Sequence, residues 1–423
     1  MNIAIIGAGA SGLAAAVAAA PNASVCVYEK QNMAGKKLLV TGNGKCNLLN
    51  EEQDMGHFHS RNPEEAQEVL SRVRTSEIKD FFAEIGILTT SRNGYLYPMS
   101  EQAKSVQTAL VEAAKARGVE FVLNTEICSI RQIVASQNSP TGNNSFELIS
   151  TDGRKFYADR VILATGTRAG MRDNVNPGVE LLKSVGHSIY PFSPALCALH
   201  VDSKMCKYWQ GVRTKAGISL MVSGREVAKD KGELMLTDYG ISGIPAFQMS
   251  GYLRHETIKG AELVIDWLPG LNEEDIAGFL DKLANSFKDK KLTESLYGIL
   301  PAKLADTLIN EACHSFDELR GLKSHLITWH ELSLKQRSCI LSVLKSLHLK
   351  ISGLNGFENA QVCAGGVPLT EIDIGSRESK LCENLYITGE LLDVNGDCGG
   401  YNLQWAWTTG MLAGRAATMN DNI

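Results

Sequence analysis

The sequence predicts an α/β protein: a Rossmann-like nucleotide-binding domain made from two halves of the chain, with an inserted β-rich, barrel-like domain and a small helical domain between them. Three observations carry that reading. A strand, a glycine turn, a helix and a second strand open the chain; residues 194–346 change to short alternating β runs and then to amphipathic helices; and an α/β pattern with a second glycine pair returns towards the C-terminus. The expected boundaries are 1–193 and 347–423 for the nucleotide-binding domain, 194–270 for the β-rich domain and 271–346 for the helical one. A chain of 423 residues exceeds the roughly 250–300 at which a single core stops growing, so a division into domains is the physical expectation.

The opening unit is specific because each part has a separate task. An apolar strand, Asn2 to Ile6, runs into Gly7-Ala8-Gly9-Ala10-Ser11-Gly12, then an alanine-rich helix, a second strand and Glu29. Gly7 permits the tight turn, Gly9 lets a pyrophosphate approach the backbone, and Gly12 lets the helix pack close to the sheet. Ala10 and Ser11 begin the helix, whose unpaired N–H groups and positive dipole end favour that pyrophosphate by about 0.3–1 kcal/mol when exposed and up to ~2 when partly buried. Glu29 stands 20 residues beyond Gly9, where an acid accepts both hydroxyls of a ribose without a 2′-phosphate, as in FAD or NAD.

Composition excludes several classes. A net charge of −5 and a pI near 6.0 give no electrostatic reason to expect a nucleic-acid partner. No apolar run reaches membrane-span length and the N-terminus enters a core strand directly, so a cytoplasmic protein without a membrane partner is expected. The 10 cysteines are scattered without a CxxC pair, which argues against a zinc ribbon, an iron–sulfur site or a dithiol redox centre. His57 and His59 form an HxH, but no further ligands follow at metal spacing, so no metal is expected.

Along the chain, residues 30–50 form a loop rich in Gly, Lys and Asn. Helical spacing follows over 63–86 (Val69, Val73, Ile78, Phe81, Phe82, Ile85) and 101–117 (Val106, Leu110, Val111, Ala114). Strands are expected at 119–123, 126–134, 146–150 and 155–158, with a polar hairpin loop at 136–144. Arg160 to Gly166 reads as a buried strand ending in a small-residue turn that must pass close to a ligand. The β-like runs after Pro194 surround Gly211, Gly217 and Gly224 and are interrupted by a helix at 243–254; amphipathic helices follow at 273–288, 301–312 and 333–346.

Near the C-terminus a strand, Asn384 to Thr388, leads into Gly389-Glu390, and Gly399-Gly400 precede a helix containing Gly410 and Gly414. This second helix start offers another set of backbone N–H groups to a ligand, and the glycines spaced by four allow a close helix neighbour. A molecule long enough to reach from the first helix start to this one is FAD, and Glu390 is placed for its ribityl chain. There the dipole would favour the negative charge of a reduced flavin near N1 and O2. A capped C-terminal helix with small residues for packing is the alternative reading.

Four segments together, Gly35 to Asn47, Gly94 to Pro98, Leu236 to Gly243 and Gly389 to Asn402, resemble the family of bacterial flavoproteins that includes bile-acid (3-dehydro-bile acid) reductase and aminoacetone oxidase. The resemblance covers essentially the whole chain. It implies one bound FAD and contacts from Gly7, Gly9, Ser11, Gly12, Glu29, Lys30, Lys36, Thr41, Gly42, Gly44, Cys46, Asn47, Ile127, Ala164, Thr165, Gly166, Gly389, Glu390, Gly400, Tyr401, Asn402 and Leu403, to which the helix start adds Ala10. Lys45 stands where the family has arginine, Thr167 where it has a second glycine, and Cys398 where threonine is common. The implied activity is that of an FAD-dependent oxidoreductase passing a hydride through flavin N5 to or from a small organic substrate. An NAD(P)H-linked reductase is favoured, with an oxygen-using amine oxidase as the alternative and a flavoprotein acting on tRNA, a non-catalytic flavin binder or an NAD dehydrogenase as further readings. With a single GxGxxG, NAD(P)H would bind transiently as reductant. Cys46 and Tyr97 are candidate catalytic groups, though neither is assigned. Trp209, Tyr208, Trp267, Trp405 and Trp407 could wall an apolar substrate cavity or be plain core. The substrate and the oligomeric state are not specified.

Overall fold

Continuous apolar runs such as Ile3-Ala4-Ile5-Ile6 and Val161-Ile162-Leu163 belong in strands covered on both faces, and both lie buried in one parallel sheet. In a computed structural model residues 1–133, 145–171, 177–254 and 256–419 are described; the hairpin loop expected at 136–144 lies outside them. The chain divides into two compact units, Met1–Ser193 with Val362–Ile423, and Pro194–Gln361.

The first unit is built on five parallel strands in the order Leu385–Ile387, Arg160–Leu163, Asn2–Ile6, Ser24–Tyr28, Glu120–Val122. Ile5 pairs with Val27 on one side and Ile162 on the other. All carboxyl ends share one edge, and the chain changes direction across the sheet between the first strand and Arg160–Leu163, which places a ligand crevice at Gly7 and Ala164. The alanine-rich helix Ala10–Ala19 is buried along most of its length because alanine presents no bulk to its neighbours. It packs against the C-terminal helix Tyr401–Ala416. The helical stretch 63–86 is two helices, Pro63–Ser71 and Thr75–Glu84, separated where the Glu77 side chain accepts the Arg74 N–H at 3.2 Å and starts a new helix.

The second unit is a closed six-stranded barrel, ordered Leu199–Val201, Gly240–Ser242, Arg225–Leu236, Arg213–Val222, Ala261–Asp266, Leu347–Leu354. Two boundaries differ from the sequence expectation. Leu347–Leu354 pairs with both Ala261–Asp266 and Leu199–Val201 and closes the barrel, so the second junction falls at 361/362 rather than 346/347. Its alternating burial announces a strand but not the partner that strand will find. Nor do residues 271–346 form a separate helical domain. Ile276, Leu280, Leu304, Leu308, Ile340 and Leu344 join the barrel residues Leu220, Leu263 and Ile265 in one apolar core. Trp209 and Trp267 lie within that core with ring centroids 6.0 Å apart, and Trp209 Nε1–H donates to the Thr237 carbonyl at 3.1 Å. They are core rather than cavity wall, and Tyr208 faces solvent.

Candidate functional site

The three glycines of the first turn divide by what a side chain would meet. At Gly7, with φ +102°, a Cβ would strike the Ala164 carbonyl oxygen, and at Gly12 it would strike the Gly7 carbonyl oxygen. At Gly9, by contrast, an added Cβ would meet nothing within 4 Å. Gly7 and Gly12 are therefore demanded by the turn and the packing, while Gly9 opens onto free space at the start of the helix. No side chain caps that helix, and no acid lies in its first turn. A ligand acceptor suits the free N–H groups there. The Glu29 carboxylate is fixed beside them by two backbone donors, Ala8 N–H to Oε2 and Gln31 N–H to Oε1, each at 2.8 Å.

The C-terminal helix lies alongside the first in the same direction. A Cβ on Gly410 would strike the Ser11 carbonyl oxygen and one on Gly414 the Ala15 carbonyl oxygen, so the two helices touch backbone to backbone with one constant offset. By that register the first helix would have to be extended eight residues before Ala10 to come level with Tyr401. At the rise of an α-helix the C-terminal helix's start projects about 12 Å past the other along the axis. Gly389, φ +67°, sits between them, where a Cβ would lie 2.7 Å from Ser11 Oγ. The two helix starts thus face one edge of the sheet with a spacing that suits a long dinucleotide. The start of the C-terminal helix also lacks a side-chain cap.

The loop 36–47 reaches this second start through a run of left-handed residues. Gly42, Asn43, Gly44 and Cys46 all have positive φ (55°, 54°, 81° and 59°). Such a conformation in Asn and Cys costs about 1–3 kcal/mol each and collects at ligand-holding segments. Thr41 Oγ1–H donates to the Leu38 carbonyl at 2.7 Å, and the Thr41 carbonyl accepts the Cys46 N–H at 3.0 Å. Asn47 is delivered against Gly400, where its Oδ1 is buried without a hydrogen-bond partner among the described residues. A ligand N–H would satisfy that acceptor. The residues present therefore fit an FAD with its pyrophosphate at Gly9 and its flavin end at Asn47 and Gly400. Asn402 locks the turn, its Oδ1 accepting the Gly396 N–H at 2.8 Å and its Nδ2–H donating to the Gly396 carbonyl at 2.7 Å.

Other expected residues take less direct positions. Lys36 Nζ donates to Gln31 Oε1 at 3.0 Å, beside the residue that holds Glu29. The neighbouring Lys37, which sequence reasoning passed over, pairs with Glu390 Oε2 at 2.9 Å. Thr167 Oγ1–H donates to the same oxygen at 3.1 Å, so the residue that departs from the family's glycine orients the carboxylate. Lys45 pairs with Glu101 at 2.9 Å. Ile127 opens the strand Ile127–Ile133, paired with Ser145–Ser150, and has its side chain in the core. Ala164, Thr165 and Gly166 form the turn opposite Gly7, Lys30 follows Glu29, and Leu403 packs at the core margin.

Cys46 is fully buried, and burial pushes its thiol up to about 11, so it is a neutral packing group. Tyr97 is half-buried on the strand Tyr95–Pro98. Trp405 and Trp407 are core, with their indole N–H groups on the Gly389 and Leu48 carbonyls at 3.0 and 2.9 Å. They secure the glycine turns rather than wall a cavity.

The HxH pair finds a partner no spacing rule would supply. His57 Nδ1 lies 2.9 Å from Asp397 Oδ2 and His59 Nε2 lies 2.7 Å from Asp397 Oδ1. The strand Asn395–Gly396 pairs antiparallel with Phe58–His59 and brings them together. The His57 ring stacks on Tyr401, centroids 4.5 Å apart at 17°. Burial, followed by the charges of Glu52, Asp397 and Asp54 and by Tyr95, pushes the Tyr401 phenol far up. Among the described residues no group of three or more His, Cys, Asp or Glu is arranged to hold a metal ion.

Residues 1–416 match the model described as HI0933-like protein Rossmann domain. The 3-dehydro-bile acid delta(4,6)-reductase of Clostridium scindens is 40% identical over 98% of both chains. The ribosomal RNA dihydrouridine synthase of Escherichia coli is 24% identical over 96% of this chain and 95% of its own. Among solved structures, the 3-ketosteroid delta1-dehydrogenase of Sterolibacterium denitrificans, in complex with 1,4-androstadiene-3,17-dione, shares the fold with a TM-score of 0.50 at 12% identity, covering 98% of this chain and 99% of that one. No helix among the described residues is long and apolar enough to cross a membrane.

Proposed function

The chain belongs to the HI0933-like family and is an FAD-dependent oxidoreductase, and we propose that it reduces a ring carbon–carbon double bond conjugated to a carbonyl in a small organic substrate. One observation carries the cofactor half of this reading: two uncapped helix starts facing the same edge, with open space at Gly9 and an unpartnered acceptor on Asn47. Bound FAD would supply hydride transfer through N5, while the protein holds it in place and sets its electrostatics. Gly9, Ser11 and Glu29 would hold the adenosine diphosphate half, Glu390 the ribityl chain, and Asn47, Gly400 and Tyr401 the flavin end. NAD(P)H is the reductant that fits a chain with one dinucleotide fingerprint. The substrate class is supported by the relatives: delta(4,6)-reductase and dihydrouridine synthase both name saturation of a ring double bond.

The dihydrouridine synthase likeness favours ribosomal RNA as a second substrate reading, and the net charge of −5 weighs against it. The test is anaerobic. The purified protein is expected to be yellow, to bleach with NADH or NADPH, and to recover its colour with a 3-oxo-4,6-diene steroid. A colourless protein that releases no FAD on heating overturns the reading. Bleaching by an amine with recovery in air would replace the reductase with an oxidase, and recovery only with a uridine-containing ribosomal RNA fragment would replace the small molecule with RNA.

A further inference from the structure

We propose that His57 supplies the proton that must accompany hydride transfer, with Asp397 and His59 as positioning residues; this rests on the reductase reading above. Saturating a conjugated double bond forms two C–H bonds. The hydride makes the first at the β-carbon, the π pair shifts towards the α-carbon, and the second bond forms there as an acid gives up its proton. The electrons come from a dihydronicotinamide donor by way of the flavin, so the protein must provide the acid.

The groups around the start of the C-terminal helix narrow the choice. Cys46 and Tyr401 hold their protons too firmly, the thiol at about 11 and the phenol well above its usual range. Asp397 is buried and both its oxygens are occupied by imidazoles. An ionised carboxylate only accepts, so each ring nitrogen facing it carries a hydrogen: Nδ1 of His57 and Nε2 of His59. That assignment leaves His57 Nε2 as the exchangeable position. The two histidines then differ in access, since the His57 side chain is 31% exposed and that of His59 10%. His57 can refill from water, whereas His59 braces the carboxylate. The His57 ring lies flat on Tyr401, the residue that follows Gly399-Gly400, and Glu52 Oε2 stands 3.9 Å from Nε2, within ion-pair range of the protonated ring. The charges of Asp54 and Tyr95 also reach the Tyr401 side of that stack. After the step the imidazole is neutral and takes its next proton from solvent.

The test separates proton delivery from structure. His57→Asn retains an N–H for Asp397 but removes Nε2, and His59→Gln retains the donor that His59 uses. Reduced holoenzyme mixed anaerobically with a 3-oxo-4,6-diene steroid is expected to reoxidise about 10²–10⁴-fold more slowly in His57→Asn, with FAD content and the rate of reduction by NAD(P)H unchanged. His59→Gln, which keeps a donor to Asp397 and leaves His57 Nε2 in place, should lose far less rate than His57→Asn. Independently of turnover, a downfield imidazole N–H proton resonance should appear in the wild type with or without FAD and be lost in Asp397→Asn. Wild-type reoxidation by His57→Asn with FAD bound overturns the proposal. So does the absence of a solvent isotope effect on wild-type reoxidation, a measurement that stands even if the variant does not fold. If no enone reoxidises the wild-type protein, the function reading itself fails and takes this proposal with it.

Discussion

At the N-terminal turn one glycine of three faces open space, whereas at the C-terminal turn both glycines are enclosed: a Cβ on Gly399 would lie 2.8 Å from the Tyr95 ring and one on Gly400 2.7 Å from the Leu49 backbone. The first turn meets a ligand through a missing side chain. The second is pressed into shape by Leu49, Asn47 and Tyr95, which sets the unpartnered Asn47 amide oxygen against Gly400 at the start of the helix. Two motifs that read alike as glycines before a helix are thus sensitive to different perturbations.

The largest effect is expected where backbone meets backbone. Gly7→Ala combines a left-handed φ with a collision against the Ala164 carbonyl, and neither partner is a flexible side chain. A loss of about 3 kcal/mol, the upper end of overpacking, should appear in denaturant unfolding of the apoprotein. Gly400→Ala should lose a comparable amount for the same reason. If Gly400→Ala keeps full stability, the enclosed description of the second turn is wrong.

Cys46, one residue before Asn47, reports on the same enclosure through pH. Its folded-state thiol is raised to about 11 by burial, above an unfolded value near 8.5. The unfolded chain therefore releases this proton first, so the thiol's stabilising share is complete below about pH 8.5 and falls by about 1.4 kcal/mol per pH unit until about pH 11. Cys46→Ala should lower the alkaline slope of unfolding free energy by one proton and leave turnover intact. An unchanged slope would mean that water reaches the loop.

Gly9→Ala inverts the first prediction. With free space around the Cβ and φ at −78°, apoprotein stability should hold within about 0.5 kcal/mol. FAD affinity should fall about tenfold, equivalent to 1.4 kcal/mol, in equilibrium titration followed by flavin fluorescence.

This contrast also marks what the sequence could and could not disclose. The opening unit was legible because its glycines, helix and Glu29 lie within thirty residues and obey local rules. The barrel strand Leu347–Leu354 fell in the α/β pattern that returns at 347 and was assigned to the nucleotide-binding unit, because local pattern does not record a strand's partner. His57 and His59 were visible as a pair, but the carboxylate that gives them a role lies 340 residues from His57. Lys36 and Lys37 are adjacent in an irregular loop, where no period distinguishes the residue that reaches Gln31 from the one that reaches Glu390.

The smallest effect belongs to Thr167, which ties the end of the Ala164–Gly166 turn to Glu390. Its hydroxyl and the Lys37 ammonium share one oxygen of Glu390, 3.1 and 2.9 Å away. Thr167→Val keeps the shape of the side chain and removes only the donor. Because Lys37 is a partly exposed, flexible partner, Glu390 should remain charged but less fixed. One neutral-to-charged hydrogen bond of this kind is worth about 1.5 kcal/mol at most when a second partner remains. The expected outcome is a two- to tenfold rise (roughly 0.4–1.4 kcal/mol) in the dissociation constant for FAD with unfolding of the apoprotein unchanged. An unchanged FAD affinity would mean that Glu390 serves the packing of the second turn and not the ligand that joins it to the first.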